Sequence, residues 1–247
     1  MLGMRTQPGR SLDLDSPWRP LYRAGGACAA IAVAMYVAAL VLFVATTAPP
    51  TSGGEEILRY IDAHRTTYVI RQLLWLAPSL FLMVVSLALA VSLRILNRSF
   101  AAIAGMIAVA SWAVSFSWPT TGEGSLAMVR LSDKYASAAT DAERASYVAG
   151  AEVLMALNDI PGIIGILQTL GILLISLLML QGIFPRALAW LGVATGAIGI
   201  VSEALRPVLG WAYSIYGLLL FAWLIWVAIE LWRLEPPDAQ AAAESPL

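Results

Sequence analysis

Long apolar runs alternate along the chain with short polar segments, and six of these runs could each form one membrane-crossing helix. A helix of about 20 residues crosses the roughly 30 Å hydrocarbon core of a bilayer. Inside hydrocarbon the backbone must satisfy its own hydrogen bonds, which favours helices for such runs. The pattern therefore predicts an all-α, polytopic membrane protein with six transmembrane helices, at residues 24–48, 72–93, 99–118, 160–183, 187–205 and 208–229.

These six predicted spans form one membrane domain, residues 21–233, between a polar tail at 1–20 and a flexible tail at 234–247. The first span is longer than the roughly 7–15-residue apolar region of a signal peptide. We therefore expect a retained helix, and the sequence "ATTA" at 45–48 leaves cleavage open as the alternative.

The short loops that carry arginine but no acid mark one side of the membrane, at Arg94, Arg98 and Arg186. The positive-inside rule makes this side cytoplasmic. We expect a multi-pass protein of the plasma membrane with both termini in the cytoplasm. The polar segments on the outer side include "GGEEILRYIDAHR" and the capping-box spacing "TDAE" at 140–143, which predict short amphipathic helices there.

Composition agrees with a membrane location and excludes several classes of function. Hydrophobic residues make up 60% of the chain and charged residues 13%, with a mean hydropathy of +0.77. The net charge of −1 gives no field that attracts nucleic acid, so membrane lipids are the expected partners. With one cysteine and one histidine, the chain cannot form an internal disulfide or a site that needs several such ligands, and we expect no cofactor and no metal.

Ionisable side chains recur near the predicted outer boundary of the hydrocarbon. Such residues are costly at membrane depth and usually face the bundle interior. One interpretation is a structural belt, in which Arg71 pairs with Asp159 or Glu203, and Glu203 pairs with Arg206. The other is a polar pocket for a lipid head group or small molecule. The candidate ligand-binding residues are Arg71, Glu152, Asn158, Asp159, Glu203 and Arg206.

The leading hypothesis for function is a non-enzymatic binding or interaction module with this outward-facing cluster. A small oligomeric transporter or channel is the alternative, and Gln168 is its mid-span polar candidate. A membrane-embedded enzyme using paired carboxylates ranks third, and we assign no catalytic residue. The glycines at 192, 196 and 199 predict close helix packing, either within the chain or in a homodimer through Gly192, Gly196 and Gly199.

The segment "GILLISLLMLQGIFPRALAWLGVATGAIGI", from Gly171 to Ile200, and the later "ELWRL" carry a resemblance to a known family. They resemble the six-pass bacterial membrane proteins of domain of unknown function 4386. In that family a Gly- and Leu-rich fourth helix runs through a Phe-Pro-Arg turn into the fifth. The resemblance covers about residues 20–233 and implies the fold and the membrane location, with no established activity. Family members often carry a histidine near the position of Asn158 or Asp159. This chain has no histidine there, so no histidine-based role carries over.

Overall fold

The computed structural model describes residues 16–118, 120–121, 124–157 and 162–234, and nearly all of them are helical. Short 3-10 turns at Ser16–Trp18 and Gly210–Ala212 precede the first and last long helices. In chain order the elements are α1 (Arg19–Ala45), α2 (Gly54–Ala63), α3 (Arg65–Leu76), α4 (Pro78–Leu93), α5 (Arg98–Ser117), β1 (Thr120–Thr121), β2 (Gly124–Ser125), α6 (Ala127–Ser137), α7 (Asp141–Ala156), α8 (Ile163–Met179), α9 (Arg186–Ala204), α10 (Arg206–Leu209) and α11 (Tyr213–Arg233).

Five helical segments of the described chain are long and apolar enough to cross a membrane. They are α1, α3 together with α4, α5, α9, and α10 together with α11. The helix of the predicted fourth span, α8, is apolar and has 17 residues, which is the lower limit for spanning. Residues 160 and 161 of that predicted span lie outside the described residues.

The predicted fourth span ends earlier than its apolar sequence suggests. α8 ends at Met179, and Gly182 takes a positive φ of 128°. The amide of Gly182 donates to the carbonyl of Met179 at 3.2 Å, and Pro185 follows. Because glycine adopts this backbone conformation readily and proline cannot continue a helix, the apolar residues after Met179 form the turn to α9.

Six helices pack in a closed ring that follows the chain order. α1 contacts α4, α4 contacts α5, α5 contacts α8, α8 contacts α9, α9 contacts α11, and α11 returns to α1. Leu89, Ile175, Leu188 and Val227 belong to the apolar core inside this ring. We call the end of the bundle where α1 ends the cap end, and the end where α1 begins the terminal end.

Small residues let neighbouring helices approach closely around the ring. A Cβ at Gly105 of α5 would lie 2.4 Å from Cβ of Ala90, on α4. A Cβ at Gly171 of α8 would lie 2.8 Å from Cα of Ala108, on α5. Such contacts leave no room for a larger side chain, as expected where helices associate by close van der Waals packing in a membrane.

A second layer, which we call the cap, covers the cap end of the bundle. It consists of α2, the β1–β2 hairpin, α6 and α7. α2 buries Ile57, Leu58 and Ile61 in a small core with Met128 of α6 and Ala151 of α7. α7 begins with the predicted capping box, in which Thr140 and Glu143 each accept a backbone N–H of the other.

Tyr68 of α3 joins the cap to the bundle. Its buried hydroxyl donates to the carbonyl of Ser125 at 3.1 Å and accepts from the amide of Ser125 at 3.0 Å. The neighbouring Gly124 has a φ of 139°, and a Cβ there would lie 2.3 Å from the Tyr68 hydroxyl. The hairpin is therefore fixed on α3 by one phenol that satisfies both backbone groups of Ser125.

Removing this hydroxyl tests the attachment. Tyr68→Phe removes the hydroxyl that both backbone groups of Ser125 bind, and losing a buried hydrogen bond of this kind costs about 1–3 kcal/mol. We expect faster amide hydrogen exchange at residues 124–132, measured by mass spectrometry in detergent. Tyr135→Phe removes an exposed hydroxyl that binds Glu55 within the cap and serves as the control. Equal exchange in both variants would contradict the role assigned to Tyr68.

Candidate functional site

A cation is buried at the cap end of the bundle. Arg71 of α3 is 1% exposed. Its Nη1 donates to Oγ1 of Thr46 and to the carbonyl of Thr47, at 3.3 Å in each case, and its guanidinium carbon lies 5.1 Å from the ring centre of Phe43. Thr46 is the C-terminal cap residue of α1. Since the C-terminus of a helix is the negative end of its dipole, Arg71 stabilises the end of α1 and joins it to α3.

A carboxylate is buried at the same end, in the contact between α8 and α9. Glu203 is 5% exposed, and the hydroxyl of Tyr213 donates to its Oε1 at 2.5 Å. The backbone carbonyl of Glu203 accepts from the amide of Gly162, the N-terminal cap residue of α8, at 3.0 Å. The carboxylate thus lies at the positive end of the α8 dipole, which stabilises an anion.

Two glycines of α8 make the space for this carboxylate. A Cβ at Gly162 would lie 2.1 Å from Oε2 of Glu203, and a Cβ at Gly165 would lie 2.2 Å from its Cδ. Any side chain at either position would collide with the carboxylate. The glycine spacing on α8 and the acid near the end of α9 therefore form one structural unit.

Arg206 lies beside this unit and is half-buried. Its guanidinium carbon is 5.4 Å from the ring centre of Tyr213, so the tyrosine contacts the cation with its ring and Glu203 with its hydroxyl. The direct ion pair between Glu203 and Arg206, expected from their spacing, is not formed among the described residues. α9 ends at Ala204, so the helical geometry that the spacing requires stops before Arg206.

Arg71 and Glu203, the other pair expected from the sequence, lie in different helix contacts. Arg71 lies on α3, which packs against α1, whereas Glu203 lies against α8. The two charges share one end of the bundle but sit on different sides of the ring. The proposed alternative partner of Arg71, Asp159, lies outside the described residues, as does Asn158.

Glu152 is exposed on α7, within the cap. Its Cγ lies 2.8 Å from the position of a Cβ on Gly54, at the start of α2. The structure thus groups Glu203 with Arg206 through Tyr213, places Arg71 at the α1–α3 contact and places Glu152 between two cap helices. Of the candidate residues, Arg206 combines a cation with partial access to the surface.

Sequence reasoning missed Tyr213, Gly162 and Gly165 as part of this site. Tyr213 follows Trp211, and aromatic residues at a membrane boundary are usually interpreted as interface anchors. The three-residue spacing of the two glycines at the start of an apolar helix was the available signal. It indicates a close approach, but it does not identify which side chain approaches.

The glycines of α9 are buried in contacts between helices of the same chain. Cβ atoms at Gly196 and Gly199 would lie 2.7 Å from the amide of Leu173 and 2.4 Å from Cγ2 of Thr169, both on α8. A Cβ at Gly192 would lie 2.1 Å from Oγ of Ser176. The close approach that these glycines permit is therefore used by α8 and α11 of the same chain.

Gln168, the mid-span polar residue of the transporter hypothesis, is half-buried on α8 and makes no hydrogen bond with the residues described. In the same part of the chain, no group of three or more His, Cys, Asp or Glu side chains is placed to hold a metal ion. Comparison of the chain with family models, curated proteins and solved structures gives no match. The resemblance to domain of unknown function 4386 therefore stays a prediction.

The contact between Gly165 and Glu203 is directly testable. Gly165→Ala inserts a methyl group where the carboxylate lies, and the overpacking should cost about 1–3 kcal/mol. We expect a lower midpoint in thermal unfolding followed by tryptophan fluorescence. Gly217→Ala on α11 is the matched control, because a Cβ there meets no atom within 4 Å. Both variants gain the same helix propensity, so their difference isolates the clash; equal midpoints would contradict it.

Proposed function

We propose that the protein is a non-enzymatic binding protein of the membrane, which takes an anionic head group or small anion at the cap end of the bundle. The observation that carries this proposal is the position of Arg206. It lies between the buried Glu203–Tyr213 pair and an apolar surface that faces away from the bundle. Arg206 can therefore bind a ligand at the surface while it keeps its contact with the Tyr213 ring.

The surface beside Arg206 has the composition expected at a membrane boundary. Val208 is 77% exposed and Trp211 is 82% exposed. Large apolar side chains with this exposure favour contact with lipid, and tryptophan is enriched at the level of the head groups. A lipid bound here would place its acyl chains on the apolar surface and its phosphate near Arg206.

The chemistry of Arg206 supports an anionic group as the ligand. No ion pair to a carboxylate occupies its guanidinium among the described residues. A guanidinium presents donors in a fixed planar arrangement that matches a phosphate or carboxylate. The cation–π contact with Tyr213 restrains the guanidinium and so reduces the entropy lost on binding.

Glu203 is better suited to holding this arrangement than to catalysis. Its carboxylate accepts a hydrogen bond from Tyr213 and packs against Gly165, so other residues of the protein cover both sides of the carboxylate. A proton-transferring acid needs room for a substrate within hydrogen-bonding distance. We therefore assign Glu203 the role of positioning Tyr213, on which Arg206 stacks.

Native mass spectrometry of the purified protein tests the proposal. We would titrate phosphatidylglycerol into wild type, Arg206→Gln and Arg144→Gln, where Arg144 is an exposed cap residue that serves as the control. Loss of one charge-assisted contact of about 1.5–3 kcal/mol should weaken binding of the first lipid roughly tenfold or more in Arg206→Gln only. A co-purified small anion lost in the same variant would assign the site to a soluble ligand. Unchanged binding in a folded Arg206→Gln protein would exclude the site.

We also propose that α8 is a sixth span, with the cap outside the plasma membrane and both termini in the cytoplasm. The short turns that join α4 to α5 and α8 to α9 at the terminal end support an even number of spans. Arg94, Arg98 and Arg186 all lie at that end, in agreement with the positive-inside rule. The resemblance to a six-pass bacterial family supports the same arrangement.

Cysteine labelling of intact cells distinguishes the two orientations. In a Cys28→Ser background, a membrane-impermeant maleimide should label Ala136→Cys in the cap and should not label Ser99→Cys at the terminal end; both positions are exposed. Permeabilised cells should label both, which controls for reactivity. Labelling of Ser99→Cys alone in intact cells would show the opposite orientation. Gln181→Cys, just after the end of α8, tests the sixth span. If α8 crosses the membrane, Gln181→Cys should behave as Ser99→Cys does.

A further inference from the structure

Polar groups recur at three depths along the interface of α8, α9 and α11. Each depth has one residue from each helix. One of the three is a glycine of α8 or α9, which leaves room for the other two side chains to approach each other. From the cap end inward, the levels are Glu203 with Gly165 and Tyr213, then Thr169 with Gly199 and Tyr216, then Ser176 with Gly192 and Trp223.

The deepest level holds two buried polar atoms that have no hydrogen-bond partner among the described residues. Ser176 is 0% exposed and Trp223 is 3% exposed, and within this part of the chain neither Oγ of Ser176 nor Nε1 of Trp223 is hydrogen-bonded. The two atoms converge on Gly192, at 2.1 Å and 2.4 Å from the position of a Cβ there. The two atoms are therefore close enough for one water molecule to hydrogen-bond to both.

The middle level lies two turns nearer the cap end. Tyr216 of α11 is 5% exposed there. Its ring lies against Gly199, where a Cβ would be 2.7 Å from Cε2. The hydroxyl of the neighbouring Thr169 donates within α8, to the carbonyl of Gly165 at 2.9 Å or of Ile166 at 3.0 Å.

The level nearest the cap end connects these groups to the surface. The rings of Tyr213 and Tyr216 are 5.8 Å apart in an edge-to-face arrangement, and Tyr213 binds Glu203. A half-buried cation, Arg206, lies over Tyr213 at the bundle surface.

The same interface is apolar beyond the deepest level. One turn nearer the terminal end, each of the three helices contributes a fully buried apolar side chain: Met179 from α8, Leu188 from α9 and Val227 from α11. The polar groups thus begin at the cap end and stop inside the bundle. Helix packing alone does not explain why unpartnered polar atoms lie on the cap side of these three apolar residues.

An unpartnered donor or acceptor in a protein interior loses its hydration without compensation, and native proteins satisfy such groups with ordered water where it can enter. We propose that water molecules enter the α8–α9–α11 interface from the cap end, past Glu203 and Tyr216, and hydrogen-bond to Ser176 and Trp223. The interface is then a hydrated half-channel, open to solvent protons from the cap end and closed by Met179, Leu188 and Val227.

Proton exchange at the Trp223 indole tests this directly. The protein contains nine tryptophans, and ¹⁵N-indole labelling in lipid nanodiscs resolves each N–H, with Trp223→Phe assigning the one of interest. On transfer to D₂O the Trp223 signal should disappear within minutes and should show cross-relaxation with water beforehand. A Trp223 indole proton that persists for days, with no transfer from water, would overturn the proposal.

Two variants separate bound water from general flexibility. Gly192→Ala inserts a methyl group between the polar atoms and should slow exchange at Trp223 by at least about tenfold, whereas Gly217→Ala, which meets no atom within 4 Å, should leave it unchanged. If Gly192→Ala does not fold, Ser176→Ala removes one partner of the water and should also slow exchange. Exchange that is equally fast in the folded Ser176→Ala or Gly192→Ala protein and in wild type would refute a water bridge.

Discussion

The guanidinium of Arg71 is buried where α1 ends, and both layers of the molecule meet at this point. It binds Thr46 and the carbonyl of Thr47, and the same carbonyl accepts a hydrogen bond from the hydroxyl of Tyr60 in α2 at 2.6 Å. One carbonyl therefore receives a donor from the bundle and a donor from the cap. The guanidinium binds two oxygens through Nη1 while it lies over the Phe43 ring. The cap is therefore joined to the membrane helices at this carbonyl as well as at the Tyr68–Ser125 contact.

On the other side of the ring, glycines that lack a side chain let the helices pack closely. α9 presents glycines to α8 and α11, and the space is filled by Leu173 at Gly196 and by polar or aromatic side chains at Gly192 and Gly199. Close approach increases van der Waals contact, which is the main attraction between helices in lipid. It also brings hydroxyl, indole and carboxylate groups into the contact, where a Leu-rich interface would exclude them. The polar character of this side follows from its close packing.

Much of the architecture follows from the sequence, because hydropathy along a run reports burial in lipid whatever the neighbours are. The common level of Arg71, Glu203 and Arg206 was predictable too, since the rise per residue of a helix fixes the depth of each charge. Their partners were not predictable. Pairing depends on which helices are neighbours in the ring and on where each helix stops, and α9 stops at Ala204, between Glu203 and Arg206. The contribution of Tyr213 depends on the same unpredicted turn.

The ring closes only through the contact between α1 and α11, the first and last of its helices. In that contact Gly26 lies against the backbone of α11, where a Cβ would be 3.0 Å from the carbonyl of Ala228. Every other contact of the ring joins helices that are close in the chain and can form as successive segments leave the ribosome. α1 must therefore wait in the bilayer, with its small-residue face towards lipid or a chaperone, until translation has passed residue 233. The biogenesis of this protein is exposed to premature association of α1 for the whole of that interval.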